Sequence, residues 1–74
     1  MAEPLRYAAI RERYEDGFGA YVPDLPGCGA DGKTEGEVRQ RLRVAVEVHL
    51  RSLREDGEPI PQPTSRAEIV EVAA

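Results

Sequence analysis

The sequence predicts an α+β fold, a small antiparallel sheet covered by one long helix, in the order β-β-β-α-β. Three observations carry that expectation. Alternating apolar and polar residues flank the dipeptide Asp16-Gly17, a Thr34 to Glu37 capping box precedes a long helical arc, and the apolar hexapeptide AEIVEV follows a proline-rich spacer. At 74 residues the chain is one domain, residues 1–74.

Residues 5–15 are rich in Tyr, Ile and Ala interleaved with Arg and Glu, which reads as a half-buried first strand. Its parity is mixed. Leu5, Tyr7 and Ala9 share one face while Ala8, Ile10 and Tyr14 share the other, and a bulge near Ala8 to Ile10 would reconcile them. Asp16-Gly17 then predicts a type I′ hairpin turn, with positive φ at both central residues. Residues 18–24 return as the second strand, with Phe18, Ala20 and Val22 on one face, Tyr21 on the other, and Pro23 ending regular pairing. Pro26-Gly27 turns the chain into a short third strand over 28–31.

Thr34 opens the helix, predicted over about 35–56: its hydroxyl can accept from the Glu37 N–H, and the Glu37 carboxylate can reach back to the Thr34 N–H. Val38, Leu42, Ala45, Val46, His49, Leu50 and Leu53 form one apolar arc, and Gly57 suits the position just past the end. Val44 and Val48 project away from that arc, an i,i+4 apolar pair that suggests an oligomer or partner contact. Residues 57–66 form a stiff proline-rich connector, and 67–73 read as a last strand. There Ile69, Val70 and Val72 leave both faces partly apolar, which suits a strand paired across a subunit boundary.

Composition narrows the function. Ten basic against fourteen acidic residues give a net charge of -4, which argues against general attraction to phosphate backbones. No apolar run approaches the roughly 20 residues that span a bilayer, and the start MAEPLRYAAI lacks the features of a signal peptide, so a cytoplasmic protein with no membrane partner is expected. So small a chain buries only about 60% of its unfolded surface, and with Cys28 as its single cysteine it forms no internal disulfide, so a homodimer or higher homo-oligomer is expected. One Cys and one His also fall short of a zinc set; no metal or cofactor is expected.

Gly27, Gly29 and Gly32 stand at G-x-G-x-x-G spacing. A dinucleotide loop requires a parallel βαβ unit around those glycines, whereas here they sit between a hairpin and a helix, where two sharp turns account for them. Asp16, Asp24 and Asp31 could be imagined as a two-metal nuclease centre, yet each is explained by a turn. His49 reads as a packed residue of the helical arc and Cys28 as a small buried group. Arg39, Arg41, Arg43, Arg51 and Arg54 could form a basic strip for RNA; the pairs Glu35 to Arg39, Glu37 to Arg41 and Glu47 to Arg51 explain most of them as a solvated face.

The turn DGFGAYVPDLPGC (Asp16 to Cys28), the stretch ADGKTEGEV (Ala30 to Val38), AVEVHLRSL on the helix (Ala45 to Leu53) and EDGEPIPQP after it (Glu55 to Pro63) together resemble the N-terminal domain of the HicB family of antitoxins. The resemblance implies a truncated RNase H-like fold without catalytic acids. It also implies a partner, a small basic RNA-cleaving toxin of the HicA type, bound and masked without enzymatic chemistry. Members of that family commonly continue into a C-terminal DNA-binding domain, which these 74 residues do not contain, so direct nucleic-acid binding by this chain is not expected. The surface expected to meet the partner is the turn Tyr21, Asp24, Leu25, Pro26, Gly27 and Cys28, with buried anchors at its centre and charges at its rim. The alternatives are an orphan dimeric interaction module and an RNase H-related nuclease or RNA-processing subunit.

Overall fold

The structure is a computed structural model that describes residues 4–74; Met1 to Glu3 of the expected domain lie outside the described residues. Three strands, β1 (Ile10–Tyr14), β2 (Gly17–Tyr21) and β3 (Gly29–Gly32), form an antiparallel sheet in the order β1-β2-β3, and the helix α1 (Glu35–Glu55) follows. The α+β class and the single long helix agree with the sequence reading. The last strand does not: residues 58–74 contain no strand, and Ile69, Val70 and Val72 are exposed at 91%, 73% and 81%. No described strand of the same chain pairs with them, and without a ladder partner the segment does not form a strand.

The first strand is shorter than expected. Regular pairing begins at Ile10, opposite Tyr21, because the chain before it runs beside the proline-rich connector, where the Tyr7 hydroxyl donates to the Pro61 carbonyl at 2.6 Å. A connector with three prolines in five residues has few N–H groups to offer, so a side chain makes the link that a ladder would otherwise make. The mixed parity therefore needs no bulge. It reflects a change of partner at Ile10.

The hairpin turn also differs. Tyr14 pairs with Gly17, so the loop is Glu15-Asp16, and neither has a positive φ, which excludes type I′. Glycine is favoured at the fourth position of a type I turn. Gly17 has a steric reason as well: a Cβ there would lie 2.6 Å from the Gly32 carbonyl oxygen.

Register divides the sheet into two faces. Arg11, Arg13, Phe18, Ala20 and Ala30 share the helix side, where Ala20 is buried, Arg13 stacks over the Phe18 ring at 5.9 Å and Arg11 reaches Glu35 at 3.7 Å. Ile10, Glu12, Tyr14, Gly19, Tyr21 and Asp31 share the open side. The helix packs through Val38, 1% exposed, and through Leu42, Ala45, Val46 and Leu50, which close over Val22, Leu25 and Cys28. Burying Leu25 and Val38 completely contributes about 1.5–3 kcal/mol each.

Both helix ends are closed. Thr34, in an extended conformation, accepts from the Glu37 N–H at 3.1 Å as expected, but the Glu37 carboxylate reaches one residue further back, to the Lys33 N–H at 3.0 Å. At the other end Glu58 N–H donates to the Leu53 carbonyl and Gly57 N–H to the Arg54 carbonyl, with Gly57 at φ +70: a Schellman motif. Of the three expected Glu-first pairs only Glu37 to Arg41 forms, at 3.2 Å, while Glu35 turns to Arg11 and Glu47 to Arg43. Exposed pairs of this kind contribute less than about 1 kcal/mol, so such exchanges cost little.

Candidate functional site

The loop between β2 and β3, Val22 to Cys28, is built from its own hydrogen bonds. Val22 N–H donates to the Cys28 carbonyl, Leu25 N–H to the Val22 carbonyl and Cys28 N–H to the Leu25 carbonyl, all within 3.1 Å. Gly27, at φ +81, supplies the one left-handed residue in the loop. Together these close seven residues into a compact knot that points Val22, Leu25 and Cys28 inward, at 3%, 0% and 5% exposure.

That inward turn corrects the expected contact surface. Leu25 and Cys28 are part of the chain's own core, so their side chains are not presented to a partner; a mostly apolar loop on a small domain is best used to extend a core that is short of material. Tyr21, 45% exposed, Pro26 and Gly27 do reach the surface, where they line an open groove with Pro23 and Gly29. Tyr21 also continues the open side of the sheet, whose other aromatic, Tyr14, lies half-exposed across Gly19. Tyr14 and Asp31 leave no room for a side chain at Gly19: a Cβ there would meet Tyr14 at 2.6 Å and the Asp31 carboxylate at 2.9 Å.

Asp24 plays a part that sequence reasoning missed. Its carboxylate accepts from the Thr64 N–H at 2.8 Å, the Ser65 N–H at 2.9 Å, the Thr64 hydroxyl at 3.1 Å and the Ser65 hydroxyl at 2.7 Å. These bonds hold its pKa down to about 2, the Ser65 N–H contributing most. Asp24 therefore latches the end of the connector onto the loop. The signal was present as Thr64-Ser65, two adjacent hydroxyl residues at the end of a proline run, but nothing in the sequence connects positions forty residues apart. Nearby, burial and then the Asp24 charge raise the pKa of Tyr7, keeping the donor to Pro61 protonated.

The remaining candidates separate. Burial pushes the Cys28 thiol above its ordinary value, away from thiolate character. His49 is half-buried on α1. Among the described residues no three His, Cys, Asp or Glu side chains come together as a metal site, and no helix is long and apolar enough to cross a membrane. Val44 and Val48 are exposed at 54% and 51% on the outer face of α1. Arg41 donates to the Asp31 carbonyl at 3.0 Å, tying the helix to β3.

Residues 7–73 match the family described as HicB_like antitoxin of bacterial toxin-antitoxin system. A UPF0150 protein of Thermoplasma acidophilum is 36% identical over 59 residues, which cover 78% of this chain and 86% of that protein. An uncharacterized 14.9 kDa protein from the rep-hol intergenic region of Haemophilus phage HP1 is 34% identical over 56 residues. That match covers 76% of this chain and only 42% of the length of the phage protein. Among solved structures, a chain of a HicA3 and HicB3 toxin-antitoxin complex superposes with a TM-score of 0.66 at 31% identity, covering 81% of this chain and 70% of that one.

Proposed function

Because this chain belongs to the HicB_like antitoxin family of bacterial toxin-antitoxin systems, we propose that it binds a small, basic HicA-type RNA-cleaving toxin and masks it sterically. The likeness to a chain of the HicA3 and HicB3 complex carries this reading. The protein's part is to offer a surface, with no bond made or broken by its own residues, in the cytoplasm where such a toxin acts.

The groove beside Tyr21 and the open side of the sheet supply the features that such a surface needs. Tyr21 is a half-exposed aromatic held on a β-strand, so it presents a large amphipathic area with little side-chain entropy to lose. Pro23, Pro26 and Gly27 flank it on a loop fixed by three backbone hydrogen bonds and by the Asp24 latch. Glu12 and Asp31 share the open side, and the net charge of -4 favours encounter with a basic partner.

The test is to co-express the chain with any small basic protein that an adjacent reading frame encodes and measure binding and RNA cleavage. Tyr21→Ala is expected to weaken the complex by roughly tenfold or more and to restore cleavage, as truncation of an aromatic anchor does. Val44→Ala, on the opposite layer, leaves both unchanged. A neighbour that neither binds this chain nor cleaves RNA overturns the proposal, and an unaffected Tyr21→Ala complex overturns the assignment of the surface.

A further inference from the structure

We propose that residues 68–72 act as an exchange arm, adding as a strand to the free edge of β1 in a second copy of this chain, with the second copy's arm returned in the same way. Backbone hydrogen bonding is the first support. Among the described residues the arm makes no backbone hydrogen bond, and no backbone group outside the sheet bonds to β1. The molecule thus carries both an unpaired apolar segment and an unpaired edge, each of which ordinarily draws a partner strand.

The path of the connector keeps the arm from closing on its own chain. Pro61 meets Tyr7, and Gln62 and Pro63 border one open hollow with Pro4, Leu5 and Arg6, so the connector runs opposite to the incoming chain and travels away from Ile10. Asp24 then clamps Thr64 and Ser65. From that clamp the arm projects outward. The radius of gyration is 14.2 Å, against about 11 Å for a compact chain of this length.

Charge and parity favour β1 of a second copy as the receiver. Arg11 and Arg13 lie on the helix side of β1, and Ile10 and Tyr14 on the open side. An arm with Ile69 and Glu71 beside the arginines places Val70 and Val72, together with Glu68, on the side of Ile10, Glu12 and Tyr14. The other edge suits the arm less. β3 carries Asp31 and two glycines, and its Asp31 carbonyl is already reached by Arg41.

The exchange is independent of the toxin reading and is tested without any partner, by sedimentation equilibrium of the full chain. The wild-type protein is expected to reach a two-chain mass. Val70→Pro with Glu71→Pro removes the N–H from both phases of the arm, so it weakens self-association by roughly tenfold or more. The helix band of the far-UV circular dichroism is kept, because Ile69, Val70 and Val72 lie exposed outside the core of one chain, and only the strand signal of the exchanged arm is lost. Glu71→Arg weakens the dimer too, and adding Arg11→Glu and Arg13→Glu restores it. A wild-type monomer at the highest soluble concentration overturns the proposal. So does a dimer indifferent to the prolines, which would rest on another surface such as Val44 and Val48, or a charge exchange that fails to rescue.

Discussion

Two stretches of this molecule lack regular secondary structure, yet they are opposites. The loop Val22 to Cys28 satisfies its own backbone with three hydrogen bonds and buries three of its seven residues. The arm beyond Ser65 is as apolar, but Ile69, Val70 and Val72 stay exposed at 73% or more. Hydrophobicity does not decide between them. What decides is whether the backbone has somewhere to place its N–H and C=O groups once the side chains turn inward. Gly27 and the inward carbonyls solve that for the loop; the arm has no such solution within one chain.

The largest test of this contrast is a pair of truncations. Leu25→Ala removes a side chain with no exposed surface and is expected to cost about 2–5 kcal/mol, a large part of the stability of so small a domain. Val72→Ala, measured by the same urea titration at concentrations dilute enough for a monomer, is expected within about 0.5 kcal/mol of wild type. Equal losses would erase the distinction between the two stretches. A finer test is Gly27→Ala. A Cβ there meets nothing within 4 Å, so the only cost is the left-handed conformation at φ +81, about 1–2 kcal/mol. A loss well beyond that would mean that the loop is held by contacts rather than by its backbone path.

The sequence made legible whatever depends on neighbours close along the chain. The Thr34 cap, the helix reading to Gly57 and the alternation that buries Ala20 and Val22 while exposing Tyr21 are all local, and all are found. Features set by distant partners were not legible. Leu25 looked like a surface anchor because its burial depends on Leu42, Val46 and Leu50, contributed by a helix that begins ten residues later. The final strand was expected from β-propensity alone, which says nothing about whether an edge is within reach. The Asp24 latch joins positions about forty residues apart, and the hydroxyl pair Thr64-Ser65 does not by itself name its partner.

That latch supplies the smallest and most local test, at the border between the ordered connector and the projecting arm. Four donors hold the Asp24 carboxylate in its charged form and lower its pKa from 3.8 to about 2. A group depressed in the folded state stabilises that state above its unfolded pKa and stops doing so as pH falls through the folded value. The latch is therefore complete above about pH 4 and released toward about pH 2. The protection of the Thr64 and Ser65 amides, measured as exchange relative to an unstructured chain at the same pH, should fall across that interval while protection within α1 holds steady, since the helix ladder does not depend on Asp24. In Asp24→Asn the side chain offers one acceptor oxygen where the carboxylate offers two, and protection at Thr64 and Ser65 should be low already at neutral pH and flat through the acid range. If the wild-type protein kept those two amides protected at pH 2, the connector would be held by Tyr7 and Pro61 instead. The boundary between the ordered connector and the arm would then lie at the prolines rather than at Ser65.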